Sequence, residues 1–296
     1  MIVLGYEEGR AAAQRLAAAL DVPYREITVH RFPDGESLVR LPADLPEKVV
    51  VYRSLDRPND KLIELMLAVQ TARQDGVRRT TLVAPYLCYF RQDARFHPGE
   101  AVSQRVVGHF LAQLVDQVVT VDAHLHRVRR LEEVIPCRAS RNVTAMTRVA
   151  EFLRGCRFKA PPLLVGPDEE SRQWVSVLAR LNHYDFMTGC KQRHGDHDVE
   201  VDVDDSRVCG RHVIFIDDVV STGHTLARAA QRIAQARPVA MDCFVTHALF
   251  VGDAPQTLRR AGFERLWSTD SISHSSNVVE LAPLLAEAVT SLAREG

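Results

Sequence analysis

The stretch VIFIDDVVSTGHT, residues 213–225, constrains the fold of this chain more than any other segment. It opens with four apolar residues that do not alternate with polar ones, which favours a central parallel strand covered on both faces. We predict that this strand stops at Asp217 and Asp218. The two carboxylates would then lie at its carboxyl end, where open α/β sheets bind their ligands. A loop from Val219 to Thr225 then leads into LARAAQRIAQA, whose apolar residues recur at helical spacing. The segment therefore predicts an α/β sheet with a ligand site at this strand end.

Small and hydroxyl-bearing residues make up most of this loop. Backbone N–H groups that converge at a helix N-terminus form a cradle for phosphate. The hydroxyls of Ser221, Thr222 and Thr225 would add donors, while Asp217 and Asp218 would accept sugar hydroxyls or share a metal with them. The segment thus indicates a sugar-phosphate site, whereas an acidic pair by itself is more often a solvated part of an ordinary turn.

The sequence DDVVSTGHT resembles the phosphoribosyl-binding loop that type I phosphoribosyltransferases share with ribose-phosphate pyrophosphokinases. By this resemblance, the residues that bind ribose 5-phosphate are Asp217, Asp218, Ser221, Thr222, Gly223, His224 and Thr225. His224 stands where a glycine is common in the family. The loop alone does not separate the two families.

A second segment, RFPDGE at residues 31–36, contains a turn signal between two predicted strands. On its own it predicts an ordinary hairpin. It also resembles the segment with which pyrophosphokinases hold the base of ATP, which implies Phe32, Asp34 and Glu36 as ATP-binding residues. In that family the hairpin serves a neighbouring subunit, so the resemblance implies a homo-oligomer, either a dimer or a hexamer.

A third segment, YFRQDARFHPGE at residues 89–100, places arginines among aromatic residues after a predicted strand. Such a loop binds nucleic acid, binds a nucleotide triphosphate or is merely solvated, and the net charge of only -1 argues against nucleic acid. The segment resembles the ATP loop of the pyrophosphokinases, which has no counterpart in phosphoribosyltransferases. It implies Arg91, Gln92 and Asp93 as ATP-binding residues.

Candidate metal ligands follow two other predicted strands. Alternate residues of an extended segment share a side, so Asp122, His124 and His126 would meet, although a purely structural histidine is equally expected there. The resemblance implies that His124 contacts the magnesium-bound nucleotide and that Asp168 begins a pyrophosphate-binding loop. We therefore predict Mg²⁺ as the cofactor, with His124 and Asp168 as its nearby residues. Glu169 and Glu170 depart from the glycines common in that loop.

The polar stretch around residues 190–198 contains Lys191 and Arg193. Its composition alone predicts a solvated hairpin. In the pyrophosphokinase family a loop at this place closes a lysine and an arginine over the transferring group. The resemblance therefore implies Lys191 and Arg193 as the catalytic residues.

A chain of 296 residues is long for one core and suits two domains. The pattern becomes charged between residues 131 and 141, so we predict an ATP-binding domain at 1–139 and a ribose-5-phosphate-binding domain at 140–296. Each would be a phosphoribosyltransferase-like α/β domain, a mostly parallel sheet flanked by helices. A strand, a polar loop and a helix recur in the second half, which suggests an internal duplication.

Composition gives further expectations. Six scattered cysteines without metal-ligand spacing fit reduced thiols in the cytoplasm. The balanced charge and the absence of a run of about 18 apolar residues lead us to expect neither nucleic acid nor a membrane as a partner.

Together, the resemblances imply a ribose-phosphate diphosphokinase, a transferase of nucleotide biosynthesis. It would move the β,γ-diphosphoryl group of ATP to the C1 hydroxyl of ribose 5-phosphate, giving 5-phosphoribosyl 1-pyrophosphate and AMP. No Walker A motif is present in the sequence, so another loop must hold the triphosphate. A type I phosphoribosyltransferase is an alternative that leaves two motifs unused. A catalytically weak regulatory homologue of a synthase is the other, suggested by Glu169, Glu170 and His224.

Overall fold

The computed structural model describes residues 1–194, 198–202 and 205–294, and for residues 190–202 it gives the backbone alone. The chain forms two compact units. The first contains Met1–Thr144, Ser271–Ser273 and Glu280–Gly296, and the second contains Ala145–Asp270 and His274–Val279. No helix in the described ranges is long and apolar enough to cross a membrane.

The strands of the first unit are β1 (Ile2–Gly5), β2 (Tyr24–Glu26), β3 (Thr28–Arg31), β4 (Ser37–Arg40), β5 (Lys48–Tyr52), β6 (Arg79–Val83), β7 (Gln117–Val121) and β8 (Ala139–Val143). Those of the second unit are β9 (Pro162–Gly166), β10 (Asp185–Thr188), β11 (Cys190–His194), β12 (Asp198–Asp202), β13 (His212–Val220), β14 (Ala240–Ala248), β15 (Arg265–Thr269) and β16 (Asn277–Val279). The helices in chain order are α1 (Arg10–Ala19), α2 (Pro58–Gln74), α3 (Ser103–Leu114), α4 (Met146–Gly155), α5 (Arg172–Asn182), α6 (Asp205–Val208), α7 (His224–Gln235), α8 (Ala254–Arg260) and α9 (Ala282–Arg294).

Both units have the same sheet topology. The first sheet has the order β2-β1-β5-β6-β7-β8 and the second the order β10-β9-β13-β14-β15-β16, with parallel pairing throughout. In each unit an antiparallel hairpin, β3–β4 or β11–β12, comes between the second and third strands of the sheet. The predicted class, α/β with two mostly parallel sheets, is confirmed. The shared order also supports an internal duplication.

Apolar runs make the central strands. β5 (KVVVY) and β13 are buried along most of their length, as expected for parallel strands covered on both faces. The prediction that the second of these strands stops at Asp217 is wrong, because β13 continues to Val220 and pairs with β14 through Val219 and Val220. The acidic pair therefore lies inside the strand near its carboxyl end, and the loop is limited to residues 221–223.

The structural units differ from the predicted domains in two places. β8 (Ala139–Val143) pairs with β7 and so completes the first sheet, although the predicted boundary lay at its first residue. The last helix, α9, packs on α1, β7 and β8 and thus belongs to the first unit. The Gln117 side-chain amide donates to the Leu292 carbonyl at 3.3 Å, which fixes α9 to this sheet.

Candidate active site

Three carboxylates meet at the carboxyl ends of β9 and β13 in the second unit. These strands pair up to Val165 and Phe215. Asp168 follows β9 and lies close enough for its charge to act on Asp217. Asp218 is only 4% exposed. Burial, followed by the charges of Asp218 and Asp168, raises the pKa of Asp217 well above its ordinary value. We call these three residues, Asp168, Asp217 and Asp218, the acidic strand end.

The short loop after β13 leads directly into α7. Gly223 precedes the helix with φ 78°, a left-handed conformation that glycine adopts without strain, and it is followed by His224 as the first helical residue. None of the described side chains caps this helix, so the N–H groups of its first turn face outward. The backbone N–H of Val251 holds the loop by donating to the Ser221 carbonyl at 3.0 Å. An anion fits this arrangement.

The predicted phosphate-binding residues lie around that helix start. Ser221 is half-buried, while Thr222, His224 and Thr225 are exposed. Their hydroxyls and the helix N–H groups therefore remain accessible to a ligand. The exposed side chain of His224 is compatible with a bound phosphate at this helix start.

The loop after β9 is organised by its own side chains. The Ser171 N–H and hydroxyl donate to the Asp168 carboxylate at 3.2 Å and to the Asp168 carbonyl at 2.5 Å. A Cβ on Gly166 would lie 2.2 Å from the Ser171 hydroxyl, so glycine is required there. Glu169 accepts from the Thr188 hydroxyl at 3.0 Å and pairs with Arg172 at 3.3 Å. The negative charge of Glu169 is thus locally compensated.

The β3–β4 hairpin carries RFPDGE at an exposed tip. Its turn closes through a 2.8 Å bond from the Phe32 N–H to the Glu36 carbonyl, and the Asp34 carboxylate accepts from the Glu36 N–H at 3.1 Å. Phe32 is 40% exposed, with its ring edge-on to His30. An aromatic ring and two carboxylates therefore stand ready at this tip, and Asp34 also shapes the turn.

The predicted ATP loop lies between β6 and α3 and has no regular structure. Arg91 and Gln92 are exposed. The carboxylate of Asp93 is 10% exposed and pairs with Arg127 at 3.3 Å, so it holds the loop rather than facing solvent. Ser103 is the first residue of α3, and its hydroxyl donates to the Gln92 side chain at 2.5 Å.

His124 and His126 contact each other in the first unit, with Nδ1 of the former 3.0 Å from Nε2 of the latter. The extended run predicted for these residues ends early, because β7 stops at Val121 and Asp122 has φ 38°. Asp122 is buried, whereas both imidazoles are partly exposed. The structure thus brings the two histidines together through a turn.

Lys191 and Arg193, the predicted catalytic residues, lie on β11, which pairs with β12. Their side chains lie outside the described part of the chain.

Sequence reasoning missed two buried polar residues that support these segments. Glu64 on α2 accepts from Arg31 at 3.2 Å and from Ser37 at 3.0 Å, both in the β3–β4 hairpin. Gln104 on α3 contacts the loops of Phe90 and His124. No motif or spacing in the sequence identifies either residue, because their partners lie in separate loops and strands.

Comparison with known proteins agrees with the two-unit architecture. Residues 1–114 match the family model described as the N-terminal domain of ribose phosphate pyrophosphokinase, and residues 141–277 match the phosphoribosyl transferase domain. The fold is similar to that of phosphoribosylpyrophosphate synthetase from Mycobacterium smegmatis, with a TM-score of 0.84 at 22% identity, covering 100% of this chain and 99% of the other.

Sequence similarity extends over the whole chain. A ribose-phosphate pyrophosphokinase of Methanopyrus kandleri is 34% identical over 294 residues, which are 99% of each protein. One from Methanothermobacter thermautotrophicus is 30% identical over 94% of this chain and 98% of the relative. The resemblance found in the motifs is thereby confirmed, and the chain belongs to the ribose-phosphate pyrophosphokinase family.

Proposed function

We propose that this protein transfers the β,γ-diphosphoryl group of ATP to the C1 hydroxyl of ribose 5-phosphate, giving 5-phosphoribosyl 1-pyrophosphate and AMP. The acidic strand end beside an uncapped helix N-terminus carries this proposal. A sugar phosphate offers hydroxyl donors to carboxylates and an anion to helix N–H groups, and both receptors occur within one short segment of the second unit.

In this proposal the 5-phosphate binds at the start of α7. The N–H groups of the first helical turn and the hydroxyls of Ser221, Thr222 and Thr225 donate to its oxygens. Asp217 and Asp218 accept ribose hydroxyls and so orient the ring. The C1 hydroxyl is left to attack the phosphorus.

ATP binds through the first unit. Arg91 presents a planar donor to phosphate oxygens, and Gln92 contributes an amide to the same nucleotide. The exposed tip of the β3–β4 hairpin offers Phe32 for stacking on the base and Glu36 as an acceptor for its amino group. Because this tip stands clear of its own unit, we propose that it completes the ATP site of a neighbouring subunit in a homo-oligomer.

Magnesium fits the donor set of the protein. Carboxylate oxygens are the ligands that Mg²⁺ prefers. Burial and the neighbouring charges of Asp218 and Asp168 raise the pKa of Asp217, and a divalent cation would oppose that shift. Asp168 would help to hold the ion, and His124 would contact the magnesium-bound nucleotide. When bound, Mg²⁺ neutralises charge on the phosphate oxygens.

The chemistry requires one displacement at the β-phosphorus of ATP. The C1 oxygen forms a bond to the β-phosphorus while the bond between this phosphorus and the α,β-bridging oxygen breaks. AMP departs, and the hydroxyl proton is released to water. Lys191 and Arg193 are proposed to donate to the phosphoryl oxygens as charge develops on them. Positioning and charge neutralisation supply most of the rate enhancement in such a reaction.

An assay of the products tests this function. The protein is incubated with Mg²⁺, ribose 5-phosphate and ATP labelled at the β-phosphorus. The proposal requires AMP and a labelled 5-phosphoribosyl 1-pyrophosphate in equal amounts. Formation of ADP would identify an ordinary kinase. Turnover only in a separate incubation with 5-phosphoribosyl 1-pyrophosphate and a nucleobase would identify a phosphoribosyltransferase. No turnover in either incubation would leave a regulatory homologue. The local compensation of Glu169 favours the active enzyme over that last alternative.

A further inference from the structure

Gln104 is the second residue of α3 and is only 1% exposed. The other buried residues of this helix are Gly108, Leu111 and Leu114. A carboxamide in such surroundings is unfavourable unless hydrogen bonds satisfy it. Its position therefore calls for a reason in the contacts that it makes.

The side-chain amide of Gln104 joins two loops of the first unit. Its Nε2 donates to the Phe90 carbonyl at 3.3 Å and to the His124 carbonyl at 3.1 Å. Because carbonyl oxygens only accept, the nitrogen must be the atom that faces both. The Gln104 backbone N–H also donates to the Gln92 carbonyl at 3.2 Å. One residue thus ties the loop of Arg91 and Gln92 to that of His124.

The two loops are joined at their far ends as well, by the ion pair between Asp93 and Arg127. That pair involves an arginine whose side chain is 60% exposed, so water screens it and its contribution is small. The bond from Gln104 to the Phe90 carbonyl is buried and the bond to the His124 carbonyl is partly buried, so losing the donor leaves both acceptors poorly satisfied. Gln104 is therefore the stronger of the two links.

We infer that Gln104 is a positioning residue for the diphosphoryl transfer. Resting on the proposed function, this inference holds that its amide fixes Arg91 and Gln92, which bind the triphosphate, in register with His124, which faces the metal-bound nucleotide. The ATP loop has no regular structure of its own to hold that register. Small displacements of groups that align a phosphoryl donor reduce rates strongly.

Gln104→Met tests the inference, because methionine keeps the length of the side chain and removes its donor. We expect kcat/KM for ATP to fall by about tenfold, because Arg91 and Gln92 lose their fixed position, with an unchanged KM for ribose 5-phosphate. Gln113→Met, at an exposed position of the same helix, serves as the matched control and should behave as wild type. Gln104→Glu provides a second variant of native shape. It has no donor as a carboxylate and only one O–H donor as a carboxylic acid, so it should also lose activity.

A double-mutant cycle separates positioning from mere stability. If Gln104 acts through Arg91, then Gln104→Met should cost less than about twofold in an Arg91→Ala background. A tenfold loss in both backgrounds, or wild-type kinetics with only a lower Tm, would overturn the inference. An inactive wild-type protein would instead refute the proposed function, so the two failures are distinguished by the wild-type assay alone.

Discussion

The two units share one sheet topology, but residues of opposite charge lie near the carboxyl ends of β5 and β13. In the first unit Tyr52 pairs with Gly5, the last residue of β1, and Arg53 follows. In the second unit Ile216 lies one step beyond the pair of Phe215 and Val165, level with the last residue of β9, and Asp217 follows. Equivalent positions thus hold a buried arginine and a partly buried carboxylate.

Arg53 belongs to a closed network formed by Glu8, Arg31, Ser37, Arg53 and Glu64. Its guanidinium donates to Glu64, which is 0% exposed, and pairs with Glu8 at 2.9 Å. It also lies 3.6 Å above the ring of Tyr6. Burial acts to raise the pKa of Glu64, but the hydrogen bonds from Arg53, Ser37 and Arg31 and the charge of Arg53 outweigh it and leave that pKa lowered.

In the acidic strand end of the second unit, burial and the charges of Asp218 and Asp168 raise the pKa of Asp217 instead. A network that neutralises its own charge stabilises the fold and has nothing left for a ligand. Neighbouring carboxylates that repel one another destabilise the folded state and retain affinity for cations and hydroxyls. We therefore infer that Arg53, after β5, stabilises the first unit. The equivalent Asp217, on β13, is proposed to bind substrate in the second.

Removing Arg53 should produce the largest effect, because it leaves Glu64 charged in the core of the first unit. We expect Arg53→Met to lower the free energy of unfolding by about 3–5 kcal/mol, measured by urea denaturation. Arg40→Met, at an exposed position of the first-unit hairpin, should change it by less than about 0.5 kcal/mol. Equal free energies of unfolding for the two variants would show that Arg53 does not stabilise the first unit through Glu64.

Asp217→Asn tests the other side of the comparison. We expect kcat/KM for ribose 5-phosphate to fall by about 100-fold, since the ring loses an orienting acceptor. The free energy of unfolding should stay the same or increase, because a neutral amide relieves the repulsion from Asp168 and Asp218. Asp253→Asn, at an exposed site of the same unit, is the control for both measurements. A variant that unfolds as easily as Arg53→Met would show that Asp217 is structural.

Acid titration of stability should separate the two strand ends further. Because the folded-state pKa of Glu64 is lowered, its contribution is present above the unfolded pKa of about 4.3 and is lost as pH falls through the folded value. Glu64 should therefore make the free energy of unfolding decrease below about pH 4. In the Arg53→Met/Glu64→Leu double variant this part of the acid dependence should vanish. An identical acid profile in the two proteins would contradict the assignment.

Much of the fold was predictable from local pattern. The apolar runs of β5 and β13 identified central parallel strands, and the acidic pair with a hydroxyl-rich turn indicated the site. The end of β13 was not predictable, because its extension to Val220 depends on pairing with β14, a contact between distant parts of the chain. For the same reason the amphipathic pattern of α9 predicted a helix without saying which sheet it covers.

The candidate site followed the same division. Residues that face solvent in recognisable motifs, such as Arg91 and Ser221, were found from the sequence. Glu64 and Gln104 were missed because their partners are an arginine after a strand and two backbone carbonyls, which no spacing rule reveals. A motif predicts the groups that meet the ligand better than the buried groups that hold them.

Glu169→Gln should have the smallest effect, at the edge of the acidic strand end. The carboxylate pairs with Arg172 and accepts a hydrogen bond from Thr188. These two contacts weaken its repulsion of a bound pyrophosphate. Both partners of the ion pair are largely exposed, and such pairs contribute about 0–1 kcal/mol. We therefore expect kcat to change by less than about threefold, measured as AMP formation at saturating substrates. A large gain in activity would mean that Glu169 repels the transferring group, and Glu169 would then act together with Asp168, Asp217 and Asp218.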